Sequence, residues 1–298
     1  MSGGSGGLME RSGSPPEGQG LEGRTALVTG ASGAIGRACA TALAGQGARI
    51  VVAYGTDEQG AQETADLVKA AGAEPVIARA DLTDPGAAKE LVAAAAGAGL
   101  DVLVNNAGYA LPGPLEALTE ADLRALFDTN VFGLLAVTRA FLPRMRERGA
   151  GRVVNVGSVM GRVTMPLLGA YNASKHAVAA LTDALRMELA PFGVRVVLVE
   201  PGAVRSGFAA RALAGLAPYR DPGSPYARVV AGTDAAWERV YRFAAAPAAV
   251  SRAIERAATA PRPAARYVVP TRYRLLLAAL ATTPRGMADA AKRRVMGW

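Results

Sequence analysis

The 298-residue chain is 51% hydrophobic and 19% charged, a composition suited to a well-filled core, and its single cysteine, Cys39, excludes an internal disulfide and fits a reducing cytoplasm. No run approaches the roughly 18 uninterrupted apolar residues of a bilayer-spanning helix. The net charge of +8 sits at one end: from Arg262 onward eight basic residues face one acid, Asp289, for a net +7, so the rest of the chain is nearly neutral and offers no nucleic-acid-binding body.

Met1 to Gly20 is rich in Gly, Ser, Pro and charge, lacks the apolar core of a secretory signal, and reads as a disordered tail. Thr25 to Thr29 is a short apolar run that ends in a glycine-rich turn, and Ala34 to Gln46 continues at helical spacing. Ala48 to Ala53 gives a second strand, Asp57 to Ala71 a polar-faced helix, and Pro75 to Ala80 a third strand closed by Asp81. Asp84-Pro85 predicts a helix start, with the aspartate as N-cap and proline in the first turn. Asp101 to Asn105 and Arg152 to Gly157 supply the fourth and fifth strands around one long helical region, Ala121 to Arg148, with Gly133 and Pro143 as expected kinks. Tyr171 to Ala190 is the next helix, Val194 to Val199 the sixth strand and Tyr267 to Val269 a short seventh.

Strands and helices thus alternate, and the strands are unbroken Val, Ile and Leu runs without a polar face. The expected class is α/β: a doubly wound, seven-stranded parallel sheet of the Rossmann type with helices on both faces. One catalytic domain is expected over residues 21–270, with an Ala-rich helical substrate lid at about 206–262 and a basic helical extension over 271–298. The ordinary reading of that extension is a solvated helix face; the functional one is contact with lipid head groups or an acidic carrier domain.

Chemistry concentrates in three places. Gly30, Gly33 and Gly36 allow a sharp strand-to-helix turn whose backbone N–H groups attract a pyrophosphate. Tyr171 and Lys175 stand at i and i+4, so their side chains leave one helix face and the ammonium can act on a phenol whose ordinary pKa is about 10. Ser158 follows the fifth strand, where it is either a helix cap or a hydrogen-bond donor to substrate. His176 lies beside Lys175 on another face and reads as packing or surface, Cys39 as a small buried residue, and no Cys/His cluster suggests a metal.

The spacing Thr29-Gly30-Ala31-Ser32-Gly33-Ala34-Ile35-Gly36, together with Asn105-Asn106-Ala107-Gly108, Asp128-Thr129-Asn130-Val131, Tyr171-Asn172-Ala173-Ser174-Lys175 and Pro201-Gly202, resembles the short-chain dehydrogenase/reductase family from about Gly23 to Val269. The resemblance implies a hydride-transfer enzyme with Asn130, Ser158, Tyr171 and Lys175 as catalytic positions: Tyr171 the acid/base, Ser158 orienting the substrate oxygen, Lys175 lowering the phenol pKa and bonding the nicotinamide ribose, and Asn130 holding a water, where the alternative is a buried amide satisfying a kinked backbone. It further implies cofactor contacts from Gly30, Ser32, Gly33, Ile35, Gly36, Tyr54, Asp81, Leu82, Asn105, Ala107, Gly108, Pro201, Gly202 and Val204, besides Tyr171 and Lys175, while Ser206 stands where the family usually has Thr.

Tyr54-Gly55-Thr56 occupies the end of the second strand, where an acid would bond the adenosine ribose of NAD(H). Its absence favours NADP(H) and leaves NAD(H) open, with Arg37 the nearest candidate partner for a 2′-phosphate. Val159, Met160, Val163, Met165, Leu167 and Leu168, with Phe208 and Leu213 in the lid, predict a hydrophobic ketone, aldehyde or alcohol as substrate. The extended lid, the Arg-Tyr-Val-Val strand and the basic helix after it are similar to the branch with hydroxysteroid and retinol dehydrogenases. Two rival readings are a reductase of carrier-bound 3-oxoacyl or polyketide substrates and a noncatalytic dinucleotide-sensing module on the same fold. The family likeness also implies a homodimer or homotetramer formed through the two long helices.

Overall fold

A computed structural model describes residues 20–95 and 99–296; the tail expected over 1–20 therefore falls, but for Gly20, outside the described residues. Seven strands form one parallel sheet in the order β3-β2-β1-β4-β5-β6-β7, with β1 Thr25–Val28, β2 Arg49–Tyr54, β3 Pro75–Arg79, β4 Val102–Asn105, β5 Gly151–Val156, β6 Val194–Pro201 and β7 Arg266–Val269. The central strands are mostly apolar because both of their faces are covered, whereas the edge strand β3 leaves Ile77 exposed. Ala26, Val28, Ile50, Val52 and Val104 meet helix α1 (Ala34–Ala44) and helix α10 (Pro247–Thr259) on one side. Leu27, Val51, Leu103, Val153 and Val196 meet α3 (Ala87–Ala94), α5 (Leu134–Arg148) and the end of α6 (Gly169–Leu189) on the other. Each such fully buried Val, Leu or Ile contributes about 1.5–3 kcal/mol of transfer free energy. Cys39 belongs to the first of these layers, and burial pushes its thiol well above the usual range, as suits a small core residue.

The long helical region departs from its expected form. Helix α4 (Glu120–Phe127), opened by a Thr119/Asp122 capping box, runs into a π-helical turn at Asp128–Gly133 before α5 begins. The bend thus spans six residues ending at Gly133, where an added Cβ would lie 2.7 Å from both the Cβ and the carbonyl oxygen of Leu82, so only glycine lets the helix approach that loop. Pro143 sits inside α5 without ending it. The helical run Glu120–Arg148 is long enough, and over one 18-residue stretch apolar enough, to cross a bilayer, yet its apolar face, Val137, Phe141 and Met145 included, lies in the core.

The helix expected to start at Asp84-Pro85 begins instead at Ala87, after Gly86. The Asp84 carboxylate accepts from the Gly86 N–H at 2.7 Å and closes a turn of its own, so it is spent before the helix starts. Helix α2 (Glu58–Ala70) is capped by Asp57, which accepts from Gly60 N at 2.9 Å. Beyond β6 the chain forms α7 (Phe208–Ala214), α8 (Ala227–Ala231), α9 (Thr233–Tyr241) and α10; beyond β7 come α11 (Tyr273–Thr282) and α12 (Arg285–Met296).

Candidate active site

The crevice opens between β1 and β4, where the strand order reverses and open α/β sheets take their ligands. Its floor is stitched together. Thr29 Oγ1 accepts from the N–H groups of Asn106 (3.0 Å) and Ala107 (3.1 Å), and Asn106 Nδ2 donates to the carbonyls of Thr29 (3.0 Å) and Gly30 (3.1 Å). Gly30 has φ +62°, and a Cβ there would lie 2.9 Å from Ala107 Cα. Gly36 lies under the same turn, its site for a Cβ 2.3 Å from the Gly30 carbonyl oxygen. Gly33 differs: it is exposed at the N-terminus of α1, and a Cβ would meet only that same carbonyl oxygen, at 3.5 Å.

Two hollows flank this turn. The smaller, about 100 Å³, is lined by Gly30, Tyr54, Gly55, Asp81, Leu82 and Ala107 among others. Asp81 accepts from the N–H (3.0 Å) and hydroxyl (2.8 Å) of Thr83, and these bonds hold its carboxyl below the usual range. The larger, about 750 Å³, is lined by Ile35, Gly108, Ser158, Tyr171, Lys175, Pro201, Gly202 and Val204, with apolar residues beyond them. Most of the expected cofactor residues thus line one or other of two hollows that flank one glycine turn. Ser32, Gly33, Gly36, Asn105 and Asn130 line neither. Asn105 is buried, donating to Thr138 Oγ1 and Asn155 Oδ1, both at 2.9 Å, and Asn155 passes the network on to Thr182.

Helix α6 presents Tyr171 and Lys175 to the larger hollow, as an i, i+4 pair must. Tyr171 is 7% exposed and packs against Phe208, ring centroids 5.5 Å apart. The Lys175 Nζ donates to the Val156 carbonyl at 3.1 Å and lies 5.9 Å from the Tyr171 ring centroid. Burial dominates both groups: it pushes Tyr171 up to about 12, with Ser158 pulling it down and Tyr241 adding to the rise, and it pushes Lys175 down to about 8.

Ser158 is the cap that the sequence allowed, and its hydroxyl also donates to Pro201 O at 3.4 Å. Its hydroxyl caps the 3-10 turn Val159–Gly161 through Met160 N (3.1 Å) and also faces the hollow and Tyr171. Asn130 is fully buried in the π turn, accepting from Tyr109 N (3.0 Å) and donating to Tyr109 O (3.0 Å) and Ser174 Oγ (3.1 Å). Its side chain therefore clamps the loop after β4 onto the bent helix. That loop passes close by, since a Cβ on Gly108 would sit 2.9 Å from Asn130 Oδ1 and 3.6 Å from Lys175 Nζ. His176 is exposed, its Nδ1 2.8 Å from Asn172 O. Arg37 does not reach outward: it donates to Ser32 O, Gly60 O and Thr64 Oγ1 and pairs with Glu63 at 2.7 Å, bridging α1 to α2.

Three features escaped the sequence reading. Asn172 pins the apolar wall, accepting from Met165 N (3.1 Å) and donating to Met160 O (3.2 Å) and Val163 O (3.0 Å). Glu200, wholly buried at the end of β6, is held by both ends of the Arg162 guanidinium (2.7 and 2.5 Å) and by Arg266 at 3.3 Å, so the Ser158 loop is tied to the Pro201-Gly202 turn. The far wall comes from Trp237 and Tyr241 of α9, Leu276, Leu277 and Leu280 of α11, and Ala288, Val295 and Met296 of α12. The spacings 277/280 and 288/291/295 were visible in the sequence as apolar helix stripes.

A family model described as short chain dehydrogenase matches residues 24–216. The chain is 35% identical over 172 residues, 56% of its length, to an NADPH-dependent 3-dehydrocapnine reductase of Ornithobacterium rhinotracheale, and 34% identical over 175 residues to a probable short-chain type dehydrogenase/reductase, VdlC, of Helicobacter pylori. It spans 60% and 64% of the lengths of these curated relatives. Among solved structures it is similar to a short chain dehydrogenase/reductase of Burkholderia phymatum in complex with NAD, with TM-score 0.75, 30% identity and coverage of 87% of this chain and 92% of that one. A short-chain dehydrogenase of Streptomyces avermitilis gives TM-score 0.71 and 31% identity over 92% of this chain and 96% of that one.

Proposed function

The chain belongs to the short-chain dehydrogenase family, and from that premise we propose that it is an NAD(P)-dependent oxidoreductase that interconverts a hydrophobic ketone or aldehyde and its alcohol, with Tyr171 as acid/base. One observation carries the reading: the side chains of Tyr171, Ser158 and Lys175 meet on the wall of a 750 Å³ apolar hollow that begins at the glycine turn.

The residues present fit a dinucleotide. A Cβ at Gly30 or Gly36 would drive the turn into its neighbours, and Gly33 leaves the N-terminus of α1 open to a pyrophosphate. Gly30, Tyr54, Asp81, Leu82 and Ala107 would hold the adenosine side, and Ile35, Gly108, Pro201, Gly202 and Val204 the nicotinamide side. A bound nicotinamide supplies or takes the hydride of the reaction. Tyr54-Gly55-Thr56 carries no acid to repel a 2′-phosphate, which together with an NADPH-dependent relative supports NADP(H); the NAD complex of the Burkholderia protein keeps NAD(H) as the alternative.

The Tyr171 phenol, pushed up by burial, is protonated at neutral pH and is a proton donor there for carbonyl reduction. As negative charge grows on the substrate oxygen, the Ser158 hydroxyl donates a hydrogen bond to it and Tyr171 delivers its proton. Lys175, held by Val156 O, then faces the phenolate left behind and stabilises it. Asn130 sets the distance between the β4 loop and α6 in which this happens. The segment 206–262 contributes Phe208, Trp237 and Tyr241 to the hollow, which supports its reading as a substrate lid. Exposed Phe132 beside Asn130 and Met187 on α6 support self-association through the two long helices.

A panel of apolar and polar carbonyls, read at the absorbance of the reduced nicotinamide with NADPH and with NADH, tests the proposal. Turnover of apolar carbonyls with NADPH is expected. Tight cofactor binding without turnover of any carbonyl would instead identify a sensing module, and a tenfold or greater preference for NADH would reject the cofactor assignment.

A further inference from the structure

The mouth of the large hollow is apolar on its outside as well as its inside. Val240, Phe243, Leu276 and Val295 line the hollow and are nevertheless 42%, 63%, 50% and 42% exposed, and beside them Leu275 (79%) and Met287 (66%) point away from any protein neighbour in the core. A rim of this kind is costly in water, and a soluble chain has no structural use for it. Exposed arginines stand on or beside the same elements: Arg242, Arg274, Arg285, Arg293 and Arg294. Arg272 lies at the mouth itself, donating to Phe243 O and sitting 5.7 Å over the Tyr273 ring. Of the carboxylates on α9 and α12, Asp234 is paired with Arg220 and Asp289 with Lys292, which leaves Glu238 to oppose this ring.

We propose that the face made by α9, α11 and α12 docks on an anionic lipid bilayer, with its exposed leucines, methionine and phenylalanine entering the head-group boundary and its arginines on the lipid phosphates, so that the hollow opens toward the membrane. Charge complementarity selects this occupant. A second copy of the face would set one arginine ring against another, whereas a negative leaflet attracts it and accepts the apolar rim. The proposal rests on the apolar-substrate reading for its purpose, since substrate would enter from the bilayer, but its readout is independent of turnover.

The test sediments the full chain with vesicles of phosphatidylcholine alone and of phosphatidylcholine with phosphatidylglycerol, without cofactor or substrate. Binding to the anionic vesicles at least about tenfold tighter than to neutral ones, falling as salt is raised, is expected. Leu275→Asp/Met287→Asp and Arg274→Glu/Arg293→Glu should each weaken it by about tenfold or more while melting temperature and turnover of a small soluble carbonyl stay unchanged. Tyr171→Phe should bind vesicles as the unaltered chain does, and if it is inactive for that reason alone, the docking and the catalytic readings are separated. Equal weak binding to both vesicle types, or tight binding untouched by both double variants, would overturn the proposal. So would absent vesicle binding combined with salt-sensitive retention of an acidic acyl-carrier protein, which would hand the face to a protein partner.

Discussion

Two glycines of the first turn should fail in opposite ways when replaced by alanine. At Gly36 the new Cβ would sit 2.3 Å from Gly30 O, 2.8 Å from Ala31 Cα and 2.8 Å from Asn106 Nδ2, so backbone must move in a part of the molecule already stitched by Asn106 and Thr29. Overpacking of this kind costs about 1–3 kcal/mol, and each kcal/mol lowers the melting temperature of a domain this size by roughly 2–4 °C. At Gly33 the backbone is extended (φ −81°, ψ 163°) and the Cβ meets only an ordinary contact at 3.5 Å. The folded protein should therefore tolerate Gly33→Ala, or gain about 0.4–1 kcal/mol from a stiffer unfolded chain. The methyl group would instead stand in front of the N-terminus of α1 and loosen NADPH by at least about tenfold, or roughly 1.4 kcal/mol. Thermal melts without cofactor, paired with a fluorescence titration of NADPH, read the two effects apart. A melting temperature lost equally at both positions, or NADPH bound by Gly33→Ala as tightly as by the parent, would refute the assignment of this turn.

Three further outcomes follow from the same geometry. Lys175 is pushed down to about 8 by burial, so between about pH 8 and 10.5 the unfolded chain holds a proton the folded one has lost. Stability should then rise with pH across that window, from a penalty that is complete below it and on the order of 3 kcal/mol, and Lys175→Met should flatten the rise in urea melts; parallel curves would disprove it. Arg162→Gln leaves buried Glu200 with Arg266 alone at 3.3 Å, and because Arg162 is 35% exposed the loss should fall at or below the roughly 3–5 kcal/mol of a fully buried pair. Its melting temperature should drop by several degrees, and an unchanged one would mean that the pair does not tie the Ser158 loop to β6. Leu280→Trp, which fills the hollow from α11, should lower kcat/KM for bulky apolar carbonyls by about tenfold or more and spare small ones, whereas an equal effect on both would place substrate elsewhere.

The parallel sheet was legible because each strand is a plain Val, Ile or Leu run between turn residues, and β1 through β7 need helices on both faces for that pattern to be stable. Tyr171 and Lys175 were legible as a pair because helix geometry fixes what spacing four means. Their protonation was not. It depends on how deeply Phe208, Tyr241 and the helices after β7 bury them, and that is a product of contacts between residues far apart in sequence. Distance likewise hid the Arg162–Glu200–Arg266 cluster, whose members are separated by 38 and 66 positions. Asn105 and Arg37 show the converse: at positions where a ligand contact was expected, the Asn105 Nδ2 and the Arg37 guanidinium bond neighbouring elements, while the buried Asn105 Oδ1 has no hydrogen-bond partner. The basic residues of α12 drew attention away from its apolar stripe, because Arg285, Lys292, Arg293 and Arg294 are interleaved with the side chains, Ala288, Ala291, Val295 and Met296, that line the hollow.

The most direct test of Tyr171 as the acid/base compares the parent chain with Tyr171→Phe for NADPH affinity and for steady-state turnover of one accepted carbonyl. Loss of the hydroxyl alone should leave the NADPH dissociation constant within about twofold and lower kcat by about 10²–10⁴, the range a positioned general acid provides. A phenylalanine variant that binds NADPH and still turns over at a comparable rate would place the proton donor on another residue.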